Sequence, residues 1–153
     1  VIRDIVAGDW DGWKAMWGQY LRFYGAEASA TVTRSTFDRL CRQSDGMFGY
    51  VAESEGSIVG LVHAVVHPTT WSSRPTCYLE DLYLDRSARG SGLGRALVDT
   101  VAGEARERGA SAVYWHTQEF NAPARRLYDT VARLRSWVVY EIEFGDDRGP
   151  PQS

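Results

Sequence analysis

The chain has 153 residues, a formal net charge of −3, a pI near 5.6, and 44% hydrophobic against 24% charged residues, a balance expected of one soluble globular domain with a sizeable core. An acidic chain lacks the basic field that a nucleic-acid surface needs, and its apolar runs are too short to span a bilayer. Cys41 and Cys77, the only cysteines, fit no CxxC or metal spacing, so free thiols in a reducing cytoplasm are expected.

Ile2 to Val6 reads as a first strand, opening with no secretory leader. Asp9 or Asp11 can cap a helix in which Trp13, Met16, Trp17, Tyr20, Leu21 and Tyr24 recur at three- and four-residue steps. That stripe is aromatic, so it serves either a core or, through Trp17, Tyr20 and Tyr24, a pocket whose ring faces attract an ammonium group. Gly25 ends this helix, and after a loop over 26–32 Thr33 or Ser35 can cap a second helix reaching Gln43, with Phe37, Leu40 and Cys41 inward. Phe48 to Ala52 and Ile58 to Val66 are two strands of a hairpin. His63 and His67 fall on one face of the second strand, with no third ligand or nearby carboxylate pattern to make a metal site. The stretch from Trp71 to Pro75 is a loop.

Cys77 to Leu84 is apolar on both faces, as a central strand is, yet it carries two adjacent acids, Glu80 and Asp81. Burying both would be costly, so either one faces solvent or pairs with an Arg, or the two open into a polar cleft. A glycine-rich loop follows, with Arg89, Gly92 and Gly94 in the spacing R-x-x-G-x-G. It leads into a helix to Arg108, with Leu93, Ala96, Leu97, Val101 and Ala105 on one face, a Glu104–Arg108 pair, and Gly109 as its stop. Backbone amides at such a helix start favour a phosphate group. Ala112 to Thr117 is a strand parallel to the previous one. Asn121 caps a helix with Pro123 in its first turn and Ala124, Leu127, Tyr128 and Val131 on one face. Trp137 to Phe144 reads as a final strand, with Val138, Tyr140, Ile142 and Phe144 on one side and Glu141 and Glu143 on the other. The expected domain is 1–144, and 145–153 is a polar tail rich in Gly and Pro.

The glycines do not fit the better-known nucleotide loops. A dinucleotide fold wants them after the first strand, with an acid about twenty residues on. A P-loop wants Gly-Lys-Ser/Thr, and Lys14 is the only lysine. The pair of motifs R-x-x-G-x-G (Arg89 to Gly94) and N-x-x-A-x-x-x-Y (Asn121, Ala124, Tyr128), with the element order from Ile2 to Phe144, resembles the GCN5-related N-acetyltransferase superfamily. The stretch from Cys77 to Tyr83 is similar to small-amine and polyamine acetylating members, and closer to the yeast members that acetylate histones, polyamines and D-amino acids.

The resemblance implies an α/β fold with a mixed, mostly antiparallel sheet, splayed parallel strands and about four flanking helices. It implies acetyl-CoA as co-substrate, its diphosphate on Arg89, Gly90, Gly92, Leu93, Gly94 and Arg95, and its pantetheine along Leu82, Tyr83 and Leu84 and near Asn121. It makes Tyr128 the general acid for the leaving thiolate, where spacing alone favours a core ring. The chemistry asks for a carboxylate base: Glu80, or else Asp81, with a bulge able to change which face each takes. Trp17, Tyr20, Tyr24 and Trp71 are the candidate acceptor-binding rings. The expected acceptor is the primary amine of a small molecule such as a polyamine, amino sugar or amino acid. The alternatives are a protein lysine or N-terminal amine, or a non-catalytic acyl-CoA-binding module. No metal, nucleic acid or membrane is expected, and the family resemblance suggests a homodimer. One departure is Ala132-Arg133 where the family has Gly-Phe, which leaves the end of that helix without its usual left-handed stop.

Overall fold

A computed structural model describes residues 1–145; the rest of the expected tail, 146–153, lies outside the described residues. The element order is β1 (Ile2–Asp4), α1 (Trp10–Phe23), α2 (Ala30–Arg42), β2 (Met47–Ser54), β3 (Ser57–His67), β4 (Thr76–Leu84), α3 (Leu93–Glu107), β5 (Val113–Tyr114) and α4 (Ala122–Val131), with 3-10 turns at Ala7–Asp9 and Arg86–Ala88. The strands form one sheet in chain order, antiparallel from β1 to β4, with β5 parallel to β4. The expected mixed sheet with four helices is therefore what forms. No helix among the described residues is long and apolar enough to cross a membrane.

Strand alternation sorts the core into two layers. On one side of the sheet, Phe48, Tyr50, Val62, Ala64, Cys77 and Leu79 meet the apolar stripe of α3, Leu97, Val98, Val101 and Ala105. On the other, Ile5, Val51 and Leu61 meet Trp13 and Met16 of α1 and Phe37 and Leu40 of α2. The hairpin turn between β2 and β3 is Glu55-Gly56, both with positive φ (52° and 79°), as a two-residue turn matched to strand twist requires.

Several local expectations need correction. Ser29, not Thr33 or Ser35, caps α2, its Oγ accepting from the Val32 amide at 3.0 Å. Asp9 stands at the α1 N-cap without capping it; its carboxylate is taken by two 2.9 Å bonds from the Arg3 guanidinium, which holds it below the usual carboxylate range. Asn121 does not cap α4 through its side chain; its Nδ2 reaches Thr117 Oγ1 at 3.4 Å instead. The β5 strand is two residues long rather than the whole of 112–117. The stretch from Trp137 to Phe144 forms no strand: Tyr140 and Phe144 are each 93% exposed. The α4 helix ends at Val131, and Ala132 is extended (φ −148°, ψ 174°) rather than left-handed. Alanine has no easy access to the left-handed stop that glycine provides.

Candidate active site

The site grows out of an irregularity in β4. Opposite β3, His63 pairs with Asp81 and Ala64 with Leu79, so Glu80 is an extra residue with no partner. This is a β-bulge, and it changes which face each neighbour takes. Cys77 and Leu79 pack in the α3 layer. Beyond the bulge, Asp81 turns to the α1 side, bonding Tyr20 of that helix, and Tyr83 packs in that layer as well. Residues two apart on an ideal strand share a face; Leu79 and Asp81 do not.

Asp81 is locked in a buried network. It is 6% exposed and His63 3%. The Trp13 indole N–H donates to His63 Nε2 at 3.0 Å. That nitrogen must therefore carry a lone pair, which puts the imidazole proton on Nδ1. Nδ1–H then donates to Asp81 Oδ2 at 3.0 Å, and the Tyr20 hydroxyl donates to Asp81 Oδ1 at 2.8 Å. Both carboxylate oxygens are engaged. A buried polar group satisfied this fully fixes local geometry, and here the geometry fixed is that of the bulge.

Glu80 is half-buried in the same strand, without such partners among the described residues. Desolvation, and secondarily the Asp81 charge, push its carboxyl pKa above the usual range, while the Arg39 charge pulls the other way. A raised carboxyl pKa brings a base closer to working pH. The Tyr78 phenol, two residues back, is raised by burial and by Glu80; it stacks on Tyr114 at 5.0 Å and bonds His116 Nδ1 at 3.2 Å.

The cleft for a second substrate opens where the sheet splits. The β4 and β5 strands pair only at Cys77–Val113 and Tyr78–Tyr114. Among the described residues no strand lies beside β4 from Leu79 to Leu84 on that side, so its edge is unpaired there at Leu82 and at the Leu84 amide, while the Tyr83 backbone faces β3. The glycine loop stands at the far end. Gly90 and Gly92 have φ of 75° and 85°, a region costly for any side chain-bearing residue. The first α-helical turn closes from the Ala96 amide to the Gly92 carbonyl at 3.1 Å. The amides of Leu93, Gly94 and Arg95 precede it and have no acceptor within the helix, the arrangement that suits a phosphate. At Gly94 an added Cβ would lie 3.2 Å from Leu127 Cδ2 and 3.5 Å from Leu84 Cδ1, so this glycine lets α3 approach both α4 and β4. The loop and open edge thus fit the diphosphate and pantetheine of a coenzyme A thioester. Arg89 is partly engaged already: its Nε donates to the Leu84 carbonyl at 3.2 Å, and its guanidinium lies over Tyr83 at 5.5 Å and Phe23 at 5.8 Å.

Tyr128 sits on α4, half-buried and packed edge-on against Trp115 at 5.4 Å. Burial, with a contribution from Tyr24, pushes its phenol up to about 12, so it holds its proton at neutral pH. The aromatic run of α1 divides by role. Trp13 and Tyr20 hold His63 and Asp81. Trp17 stacks on Trp13 (5.7 Å) and Tyr20 (5.3 Å), and its buried Nε1 has no hydrogen-bond partner among the described residues. Tyr24 packs edge-on against Tyr20 at 5.1 Å. Trp71 is 93% exposed in its loop and is not drawn into this cluster.

Sequence reasoning missed His63, Trp13, Tyr78 and His116. His63 was set aside because no carboxylate stood near it in the chain, whereas Asp81 reaches it across the strand pair. An apolar strand interrupted by one histidine, facing a strand with a carboxylate, was the available signal.

Comparison with known proteins identifies the family. The acetyltransferase (GNAT) family model matches residues 11–131. The chain is 32% identical over 143 residues to the D-amino-acid N-acetyltransferase HPA3 of Saccharomyces cerevisiae, covering 92% of this chain and 89% of that protein. It is 33% identical over 118 residues to the mycothiol acetyltransferase of Thermomonospora curvata, covering 74% of this chain but only 37% of that longer protein. Among solved structures, AAC(6')-Iy in complex with a CoA-based bisubstrate analogue superposes with a TM-score of 0.82 at 15% identity, over 95% of this chain and 98% of that one. The chain belongs to the GNAT acetyltransferase family and is an acetyl-CoA-dependent N-acetyltransferase.

Proposed function

We propose that the chain moves the acetyl group of acetyl-CoA directly to the primary amine of a small molecule, with Glu80 as general base and Tyr128 as general acid. The observation that carries this reading is the bulge at Glu80. It sets a partly desolvated carboxylate of raised pKa where β4 parts from β5, while both oxygens of neighbouring Asp81 are occupied. Glu80 accepts the proton of the amine, directly or through water. The amine nitrogen bonds the thioester carbonyl carbon and becomes a cationic centre that sheds its second proton to solvent as the carbon–sulfur bond breaks; Tyr128 gives its proton to the departing thiolate and recovers one from solvent. No covalent enzyme intermediate is needed, and positioning of the two substrates supplies much of the rate.

Within small amines, the charges favour an amino acid. Arg39 of α2 is near enough to Glu80 to lower its carboxyl pKa. An acceptor carrying both ammonium and carboxylate therefore meets a charge of opposite sign at each end, and the Trp17 indole N–H offers a further donor. The D-amino-acid acceptor named for the yeast relative is consistent with this. The acids and ring faces also suit a polyamine or amino sugar, and the free thiols of Cys41 and Cys77 support a reducing cytoplasmic setting. The deciding experiment is an acceptor screen read by release of free CoA. Turnover on small amines supports the reading. Thiol release with peptides and none with small amines overturns it.

A further inference from the structure

A second aromatic group stands on the acceptor side of the sheet, and the chemistry of transfer does not use it. Cys77 and Leu79 pack in the α3 layer, so Tyr78 between them faces the other side, toward α1 and Glu80. Tyr114 of β5 pairs in register with Tyr78 and stacks on it at 5.0 Å with 24° between the rings. His116 follows, 5.3 Å from the Tyr78 ring and 6.0 Å from that of Tyr114. His67 closes the group from β3, edge-on to Tyr114 at 5.9 Å. Glu80 lies beside these rings: burial raises both phenols, and the Glu80 charge raises each further. On its other side along β4, Asp81 carries the bond to Tyr20 of the α1 aromatic run. The carboxylate of Glu80 is thus flanked by rings in both directions.

The polar atoms of this second group are largely spent on one another. The Pro68 carbonyl lies 2.8 Å from His67 Nδ1 and can only accept, so the imidazole proton is on Nδ1. The Tyr114 hydroxyl then donates to His67 Nε2 at 2.8 Å. The Tyr78 hydroxyl and His116 Nδ1 stand 3.2 Å apart. These bonds hold the rings without covering them: Tyr114 is 37% exposed, and His116 is exposed as well. What the group presents outward is therefore ring surface, already fixed in place. Contacts between rings add to plain area burial, and rings held in advance lose little freedom on binding. The carboxylates acting on Tyr78 are Glu80, committed to the reacting amine, and Asp81, whose oxygens are taken by His63 and Tyr20. The second ammonium of a polyamine finds no uncommitted carboxylate among them. The hydroxyls of an amino sugar meet polar atoms that are already paired, His116 Nε2 apart.

We propose that Tyr78, Tyr114 and His116 form a side-chain subsite that selects an amino acid with an aromatic side chain as acceptor, its amine at Glu80 and its ring on the exposed faces of Tyr114 and His116. This inference rests on the reading of Glu80 as the base for a small amine and narrows it to one class of acceptor. The three residues touch the acceptor's side chain and not the reacting atoms, so they act on KM for the acceptor more than on kcat.

The test measures release of CoA by the full chain with phenylalanine, leucine, alanine, spermidine and glucosamine, each amino acid as both enantiomers. The parent is expected to favour phenylalanine over alanine by about tenfold in kcat/KM, which corresponds to about 1.4 kcal/mol, chiefly through KM and with leucine between them. Tyr114→Leu is expected to bring that ratio down toward one, whereas Tyr114→Phe keeps the ring and with it the ratio. His116→Ala, at an exposed position, is expected to lower the ratio too, and it decides the matter if Tyr114→Leu folds poorly. Leucine, alanine, spermidine or glucosamine used as well as phenylalanine overturns the subsite and leaves direct transfer to a small amine standing. A preference for phenylalanine that survives both Tyr114→Leu and His116→Ala also overturns it. Thiol release with none of these amines overturns the reading of the site and the subsite together.

Discussion

His63 Nδ1 stands 3.0 Å from Asp81 Oδ2, across the strand pair at the point where β4 bulges. The Trp13 indole donates to the opposite ring nitrogen at 3.0 Å, so the imidazole donates its one N–H to Asp81 and the chain of donors runs in a single direction. Trp13→Phe keeps a ring on that face of α1 but leaves the buried His63 Nε2 without its donor. An orphaned buried acceptor costs about 1–3 kcal/mol, and the smaller ring adds a cavity cost. Urea unfolding is expected to show at least that loss. The double variant Trp13→Phe/His63→Leu is expected to lose less than the sum of the two singles, because the second change removes the group the first one stranded.

Glu80 and Asp81 are adjacent acids with separable roles, and conservative amides tell them apart. Glu80→Gln removes the proposed base while preserving shape, so kcat is expected to fall by about 10²–10⁴-fold, the usual worth of general base catalysis, with acetyl-CoA affinity retained. Asp81→Asn replaces an oxygen that accepts from His63 or Tyr20 by an amide donor. Its main effect is expected on stability, with a loss of about 1–3 kcal/mol. Denaturation curves beside initial rates for both variants decide the matter. If Asp81→Asn were stable yet as inactive as Glu80→Gln, the assignment of the base would reverse.

These residues also show where the chain could be read directly and where it could not. The helices and the hairpin were legible because three- and four-residue apolar steps, and alternation around Glu55-Gly56, follow from backbone geometry alone. The loop from Arg89 to Gly94 was legible because positive φ selects glycine. The bulge was not, because it is a register shift between two strands, and neither strand carries the shift by itself. For the same reason His63 looked like a strand residue of no account until Asp81 stood opposite it. The segment Trp137–Phe144 reads as a strand and forms none; alternation tells which residues can pair, not where a partner edge is.

The raised pKa of Glu80 has a consequence for stability. Its cause is chiefly desolvation, which disfavours the charged form in the folded state. A folded pKa above the unfolded one contributes stability at acid pH that is lost as pH rises through the folded value. At neutral pH the ionised Glu80 is therefore a cost to the fold, and Glu80→Gln relieves it. The expected result is a melting temperature for Glu80→Gln above the parent at neutral pH, with the gap closing as pH falls toward the range where the parent Glu80 is protonated. A gap that widens toward acid pH would contradict the desolvated-base picture.

Tyr128 predicts the other side of the rate profile. Its phenol is pushed up to about 12 by burial, so it remains protonated through neutral and mildly alkaline conditions. The rate against pH is therefore expected to rise along an acidic limb displaced upward from the usual glutamate range, reporting Glu80, with no alkaline fall due to Tyr128 before about pH 11. Tyr128→Phe is expected to lower kcat while the dissociation constant for acetyl-CoA stays nearly unchanged, since in the proposed mechanism the lost hydroxyl serves only the departing thiolate. Equal turnover of Tyr128→Phe and the parent would remove this residue from the mechanism.

Gly92 offers a test of the cofactor loop that leaves the acceptor side alone. At φ 85° it precedes the first turn of α3, and an added Cβ meets no atom within 4 Å. Space is thus available and only the backbone conformation resists a side chain. Gly92→Ala must either hold a left-handed residue at a cost of about 1–2 kcal/mol or relax the loop, turning the amides of Leu93, Gly94 and Arg95 away from their common direction. Relaxation is the cheaper course in an exposed loop. KM for acetyl-CoA is then expected to rise by about tenfold, which corresponds to about 1.4 kcal/mol, with thermal stability little changed and KM for the amine unaffected. Steady-state kinetics with each substrate varied in turn separate the two. A variant that lost stability while keeping its acetyl-CoA KM would show that the loop holds its shape for the fold and not for the diphosphate.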